Sequence, residues 1–141
     1  MLGKVFNSIH FQVLSRSMDA SMLRNEVIAN NIANVNTPGF KRSEVIFEEK
    51  LRKVLEKTTN YDTLKSNDYQ KSDTMGNSSK ILEVEPELVE VGDSSFRNDG
   101  NNVDIDVEMA ELVKNKVYYD TMEQSLDNEI RLLRMAITGR S

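Results

Sequence analysis

Apolar positions recur at steps of three and four through both ends of the chain and lose that spacing in between. From about Gly3 to about Asn36 the stripe runs through Phe11, Leu14, Met18, Met22, Ile28 with Ala29, Ile32 and Val35. Such steps line one side of an α-helix. Arg16, Asp19, Arg24 and Glu26 fall away from that seam, as water-facing residues should. Leu23 and Val27 also fall outside it, four apart, and suggest a smaller second contact surface. Asn25 stands where the seam wants an apolar group, either as an edge position open to water or as a polar device that fixes register.

A second long element runs from about Asp104 to Thr138, through Ile105, Met109, Leu112, Tyr119, Met122, Leu126, Ile130, Leu133 and Ile137. Lys116 interrupts it, and a lysine can lay its stem along a seam while its ammonium stays in water. Asp104, Asp106 and Glu108 sit in or near the first turn; Arg131, Arg134 and Arg140 sit near the end. That is the orientation a helix dipole favours, and Gly139 supplies the stop. Neither helix buries its own stripe, so the economical arrangement packs the two against each other, antiparallel.

The middle lacks this order. Glu44 to Lys57 is compatible with a short helix presenting Phe47, Leu51, Val54 and Leu55. Thr58 to Lys80 is dominated by Thr, Ser, Asn, Asp and Lys, as irregular surface is. Ile81 to Val91 regains apolar content around Pro86, which argues for an edge strand or an extended segment. Asn98-Asp99-Gly100-Asn101-Asn102 is a strong turn signal just before the second long helix. The fold expected is mainly α: long N- and C-terminal helices packed as an antiparallel coiled-coil-like pair, with a short helix and an irregular or weakly extended middle. Residues 1–43 and 103–141 would form one helical core domain, and 44–102 the outward-facing middle.

Composition changes the picture in one respect. With 38% hydrophobic and 6% aromatic residues among 141, the apolar material for a private core is thin and concentrated in the two seams. There is no Cys, and His10 is the lone imidazole, which excludes a disulfide framework, Cys- or His-rich zinc sites and a thiol nucleophile. An enzyme is therefore not expected, and no cofactor or metal. The net charge of −5 argues against nucleic acid as a partner; it divides as +3 over residues 1–43, −5 over 44–102 and −3 over 103–141. No stretch has the length of apolar residues that crosses a membrane, and Met1 to Phe11 lacks the pattern of a cleaved signal peptide.

The most informative segment is Ala29 to Lys41. Asn30, Asn31, Asn34 and Asn36 crowd a helix end, where their amides compete for backbone groups. Asn30 and Asn34 share a face. Thr37-Pro38-Gly39-Phe40 has the form of a type II turn, with Pro38 fixing φ and Gly39 supplying positive φ. This is either a capped helix end or a packing joint whose amides meet a neighbouring chain. Asp104, Asp106 and Glu108 fail the spacing of a calcium loop and are better explained by helix capping.

The run Ile28 to Lys41 resembles the signature of the bacterial flagellar rod, hook and hook-associated axial proteins. Arg42 to Leu55, and Asp99-Gly100-Asn101-Asn102-Val103-Asp104 leading into Glu108-Met109-Ala110, are similar to the FlgB-type proximal rod family. The FlgC-type rod family shares the asparagine-rich joint. The resemblance covers roughly residues 10–57 and 97–140; Val35 stands where the signature often has alanine, and Phe40 where it often has tyrosine. It implies a structural subunit of the proximal rod, exported through the flagellar type III export apparatus without a cleaved signal. Such subunits form a torque-transmitting helical tube around the export channel. Implied partners are copies of itself, other flagellar rod proteins and the FliE-type rod–base adaptor. Asn30, Asn31, Asn34, Asn36, Thr37, Pro38, Gly39 and Phe40 would be the assembly joint. Phe11, Leu14, Met18, Met22, Ile28, Ile32, Met109, Leu112, Tyr119, Leu126, Ile130, Leu133 and Ile137 would be the helix seam. A cytosolic helical-hairpin adaptor or secretion chaperone is the alternative.

Overall fold

The computed structural model describes residues 9–58, 81–92 and 98–139. Five elements follow one another: α1 (Ile9–Ala33), β1 (Ser43–Ile46), α2 (Glu48–Thr58), β2 (Glu87–Glu90) and α3 (Ile105–Thr138). Helices α1 and α3 lie in close contact and antiparallel, since Asn31 meets Glu108 while the earlier Ser21 meets the later Asn115. With 34 residues against 25, α3 is about 13 Å longer than α1 at 1.5 Å per residue.

The ends of α3 follow from local chemistry. Asp104 is its N-cap, with extended backbone and a carboxylate that accepts from the Asp106 N–H at 2.9 Å. Gly139 closes it at φ 65°, donating its N–H to the Met135 carbonyl at 2.8 Å. Positions 3–8 of the first predicted helix, Arg140 and residues 59–80 of the polar stretch lie outside the described residues.

Two boundaries in the middle differ from the sequence reading. The helix expected from Glu44 begins at Glu48, because residues 43–46 form a strand. β-branched Val45 and Ile46 suit the pleat, and Val45 turns inward while Glu44 and Ile46 turn out. Helix α2 then opens where the Phe47 carbonyl accepts the Leu51 N–H at 3.0 Å. In the later segment, Val84 N–H bonds the Ile81 carbonyl at 3.2 Å and closes a helical turn, so extension is confined to 87–90, just after Pro86. Strands β1 and β2 pair antiparallel, Ser43 opposite Glu90 and Ile46 opposite Glu87.

The apolar core does not lie between the two long helices. Ala20, Phe47, Leu51, Ile81 and Val84 are buried together, with Ile9, Val13, Val54 and Leu55 packed against them, so α2 and the 81–84 turn cover one flank of α1. Hydrogen-bonded polar pairs span the α1–α3 contact, and Ile28 of α1 and Met122 of α3 are buried outside that core. Ser21 Oγ donates to Asn115 Oδ1 at 2.8 Å while Asn115 Nδ2 returns a bond to the Ser21 carbonyl at 2.9 Å. Asn25, which interrupts the apolar stripe in sequence, is exposed. The polar register pair is one turn earlier.

Phe47, 1% exposed at the centre of the core, carries this flank. Replacing it by alanine is expected to cost about 3–5 kcal/mol in urea unfolding followed by circular dichroism. Leu88→Ala, at a position 56% exposed, should cost less than about 1 kcal/mol in the same measurement.

Candidate functional site

The asparagine-rich segment ends α1 and reverses the chain. Asn34 Nδ2 reaches back to the Asn30 side chain at 2.7 Å and to the Asn30 carbonyl at 2.9 Å, so the two amides share a face as their spacing requires. Asn34 also accepts from the Thr37 hydroxyl at 3.2 Å. The Phe40 N–H then bonds the Thr37 carbonyl at 3.3 Å, with Gly39 at φ 74°. That closes the type II turn for which Pro38 and Gly39 are suited.

A second loop fastens this turn from sixty residues further along. Asn101 is fully buried, and its Nδ2 donates to the carbonyls of Asn34 at 2.9 Å, Val35 at 3.2 Å and Thr37 at 2.9 Å. An amide has two N–H donors, so one of them is shared between two carbonyls. Its Oδ1 accepts from the Val103 N–H at 2.7 Å, and its own N–H bonds Asp99 Oδ1 at 3.1 Å, which shapes the loop as an Asx turn. The clasp continues along the chain. Gly39 N–H bonds the Asp99 carbonyl at 2.9 Å, and Lys41 Nζ bonds the Gly100 carbonyl at 2.9 Å. Asn102 Oδ1 accepts from Arg42 N–H at 2.7 Å, while its Nδ2 donates to the Val91 carbonyl at 2.7 Å. Asn102 thereby bridges the start of β1 to the end of β2.

Beneath the clasp lies a buried charge. Glu108 has no solvent exposure, and Arg42 Nε donates to its Oε1 while Asn31 Nδ2 donates to its Oε2 at 3.0 Å. Arg42 also pairs with Glu44 at the surface. Burial, the largest single influence, pulls the Arg42 pKa down, but hydrogen bonding and charge from Glu108 and Glu44 outweigh it and hold the guanidinium above its ordinary value. Asn31 does double duty. Its Nδ2 and Oδ1 also bond the Ser43 carbonyl at 2.9 Å and N–H at 3.1 Å, occupying the edge of β1 that β2 leaves open. One buried cluster therefore ties α1, β1 and α3.

Of the eight predicted joint positions, Asn31 is buried, Asn34 and Phe40 are half-buried, and Asn30, Asn36, Thr37, Pro38 and Gly39 are exposed. Along the predicted seam, Ile28 is buried; Phe11, Leu14, Met18, Ile32, Leu112, Tyr119, Leu126 and Leu133 are half-buried; Met22, Met109, Ile130 and Ile137 are exposed. Sequence reasoning passed over Asn115 and the inward role of Glu108, and it placed Asn101 in a turn without its bonds to the end of α1. It assigned Glu108 to helix capping with Asp104 and Asp106, whereas Asp104 alone caps and Glu108 turns inward to Arg42. The signal was present in the spacing, since Asn101, Glu108, Asn115 and Met122 are all buried at intervals of seven.

Residues 11–41, covering most of α1 and the joint, match the family described as flagella basal body rod protein. The flagellar basal body rod protein FlgB of Borrelia hermsii is 42% identical over 106 residues, 74% of this chain and 77% of that one. The FlgB of Bacillus subtilis is 32% identical over 128 residues, 91% of this chain and 92% of that one. The chain belongs to the FlgB family of flagellar basal body rod proteins. Membership covers the sequence on both sides of the clasp, and FlgB-family proteins are structural subunits.

The cluster predicts an asymmetry between its two ions. Arg42→Met strands a fully buried carboxylate and should cost about 3–5 kcal/mol. Glu108→Leu leaves Arg42 with Glu44 and should cost clearly less. The double variant should be less damaging than the two single costs combined, as urea unfolding of all four chains will measure.

Proposed function

We propose that this rod subunit works in the proximal part of the rod as one stave of a tube whose wall is built from its paired terminal helices. The carrying observation is that α1 and α3 are locked in register by polar contacts while much of their apolar surface stays uncovered. Met22, Met109, Val113, Val117, Ile130, Leu132 and Ile137 are between 46% and 71% exposed. A helix apolar on several sides is stable when neighbours cover it, and a staggered assembly supplies them. The clasp has a mechanical role here. It joins both long helices and the sheet at one end of the pair, so that torque on either helix is carried by both.

The same reading gives the subunit a place and partners. It is exported through the flagellar type III export apparatus without a cleaved signal, and it assembles in the cell envelope with other rod proteins, the FliE-type adaptor and copies of itself. No helix among the described residues is long and apolar enough to cross a membrane, which agrees with a subunit held by protein contacts. The joint of Asn30, Asn34, Asn36, Thr37, Pro38, Gly39 and Phe40 presents exposed amides and a rigid turn to a neighbouring subunit. A hairpin adaptor or chaperone has less behind it, because a closed hairpin would put its apolar stripes between its own two helices.

Cryo-electron microscopy of isolated basal bodies tests the proposal. Density fitting this chain is expected in the rod beside the membrane-embedded base, and a strain lacking the chain is expected to lose rod and filament together. Full motility in that strain, or density confined to another compartment, would sink it.

A further inference from the structure

Of the chain's six glycines, only Gly100 follows an aspartate and none follows an asparagine. An Asp–Gly step is where a backbone rearranges most readily, because glycine has no Cβ to shield its nitrogen from the carboxyl before it. Here that step lies inside the clasp, in the loop that fastens the end of α1 to the start of α3. The Asp99 carbonyl accepts from Gly39 N–H at 2.9 Å, and the Gly100 carbonyl accepts from Lys41 Nζ at 2.9 Å. Asp99 Oδ1 accepts from Asn101 N–H at 3.1 Å, and the Asn101 side chain is itself anchored on three carbonyls. Gly100 also lies against Gly39, whose Cα would stand 3.7 Å from a Cβ placed on Gly100. Both peptide planes that flank Gly100 are thereby pinned.

We infer that Asp99 is a modification site governed by the clasp: closed, the clasp blocks succinimide formation with Gly100, and open, it lets the isomerisation run. The Gly100 nitrogen bonds the Asp99 side-chain carboxyl carbon and gives up its proton; the carboxyl hydroxyl takes that proton and leaves as water. Water then opens the ring at one of two C–N bonds. Cleavage of the new bond restores aspartate, whereas cleavage of the old one leaves Gly100 attached through the side chain, as isoaspartate. One water leaves and one returns, so no oxidant or other co-reactant is needed. The closed loop resists on geometry. Attack requires turning about the Asp99 Cα–C bond, which pulls the carbonyl off Gly39 N–H, and turning the carboxyl, which releases Asn101 N–H. The product is as telling as the reaction. Isoaspartate lengthens the main chain by one carbon before Asn101, which then stands out of step with the carbonyls of Asn34, Val35 and Thr37. A subunit left with its loop unseated therefore loses the clasp for good. This chemistry belongs to the clasp itself and is independent of what the subunit assembles with.

Timed incubation of the purified full chain, native and in urea at one pH and temperature, tests this. Trypsin releases residues 98–114 as one peptide, between Arg97 and the bond after Lys114, and fragmentation mass spectrometry locates isoaspartate within it. Isoaspartate at position 99 should accumulate at least about tenfold faster in urea, because several bonds, each worth a factor of a few, must part together in the native chain. Asn101→Ala and Lys41→Met, incubated without urea, should fall between the two rates. Lys41→Met keeps the three Asn101 bonds and serves as the comparison should Asn101→Ala fail to fold. Native chain separated with isoaspartate at 99 should exchange its 34–42 amides faster than the unmodified chain. A native rate equal to the rate in urea overturns the inference, as does a native rate retained in the folded variants. So does an isoaspartate-bearing chain whose 34–42 amides stay as protected as before.

Discussion

Helix α1 ends in carbonyl groups that its own segment serves only in part. Thr37 N–H reaches the Asn34 carbonyl at 3.0 Å, but Pro38 has no N–H to continue the series and the chain turns away at Gly39. The Thr37 carbonyl accepts from the Phe40 N–H, and further donors to the Asn34, Val35 and Thr37 carbonyls come from the Asn101 amide, brought from the loop before α3. These added hydrogen bonds contribute roughly 0.5–1.5 kcal/mol each, so the turn and the 99–102 loop stabilise one another. Once that loop is seated, the start of α3 is fixed within a few residues. Asp104 caps it and Glu108 drops into the pocket of Arg42 and Asn31.

That constraint is repeated along the long helices, which polar pairs hold in one alignment. The reciprocal Ser21–Asn115 bonds and the Asn31–Glu108 bond each tolerate one register, whereas sliding one apolar stripe past another costs little. The bonds contribute modestly to stability, on the order of 1 kcal/mol each. Their effect is to choose an alignment. Apolar mass is also placed elsewhere: in the small core around Phe47, and on faces of α3 that remain exposed. For a rod subunit this division is physically sensible, because exposed apolar helix faces suit packing within an assembly.

Much of this was legible from the residues. The periodicity of α3, its Asp104 cap and Gly139 stop follow from helix chemistry alone, and the Pro38-Gly39 turn from backbone chemistry. The asparagine-rich segment announced itself through composition and through its resemblance to axial proteins. What escaped was long-range pairing. A turn signal such as residues 98–102 describes its own backbone and says nothing of the helix end its Asn101 amide will serve sixty residues away. Glu108 beside Asp104 and Asp106 matches a capping pattern, and only the third dimension separates the buried carboxylate from the exposed ones. Lys116 drew attention as the break in an apolar stripe while Asn115, one residue earlier, held the contact. The strand at 43–46 was hidden because four residues carry too little pattern to compete with the helix that follows.

The central claim is that one loop holds both long helices at the joint. Amide hydrogen exchange on the full chain with Asn101→Ala tests it directly. Exchange should accelerate together at the end of α1, in the 34–42 turn and over the first turns of α3, while the Phe47 core keeps its protection. Acceleration confined to residues 98–103, with the end of α1 as protected as before, would contradict the account.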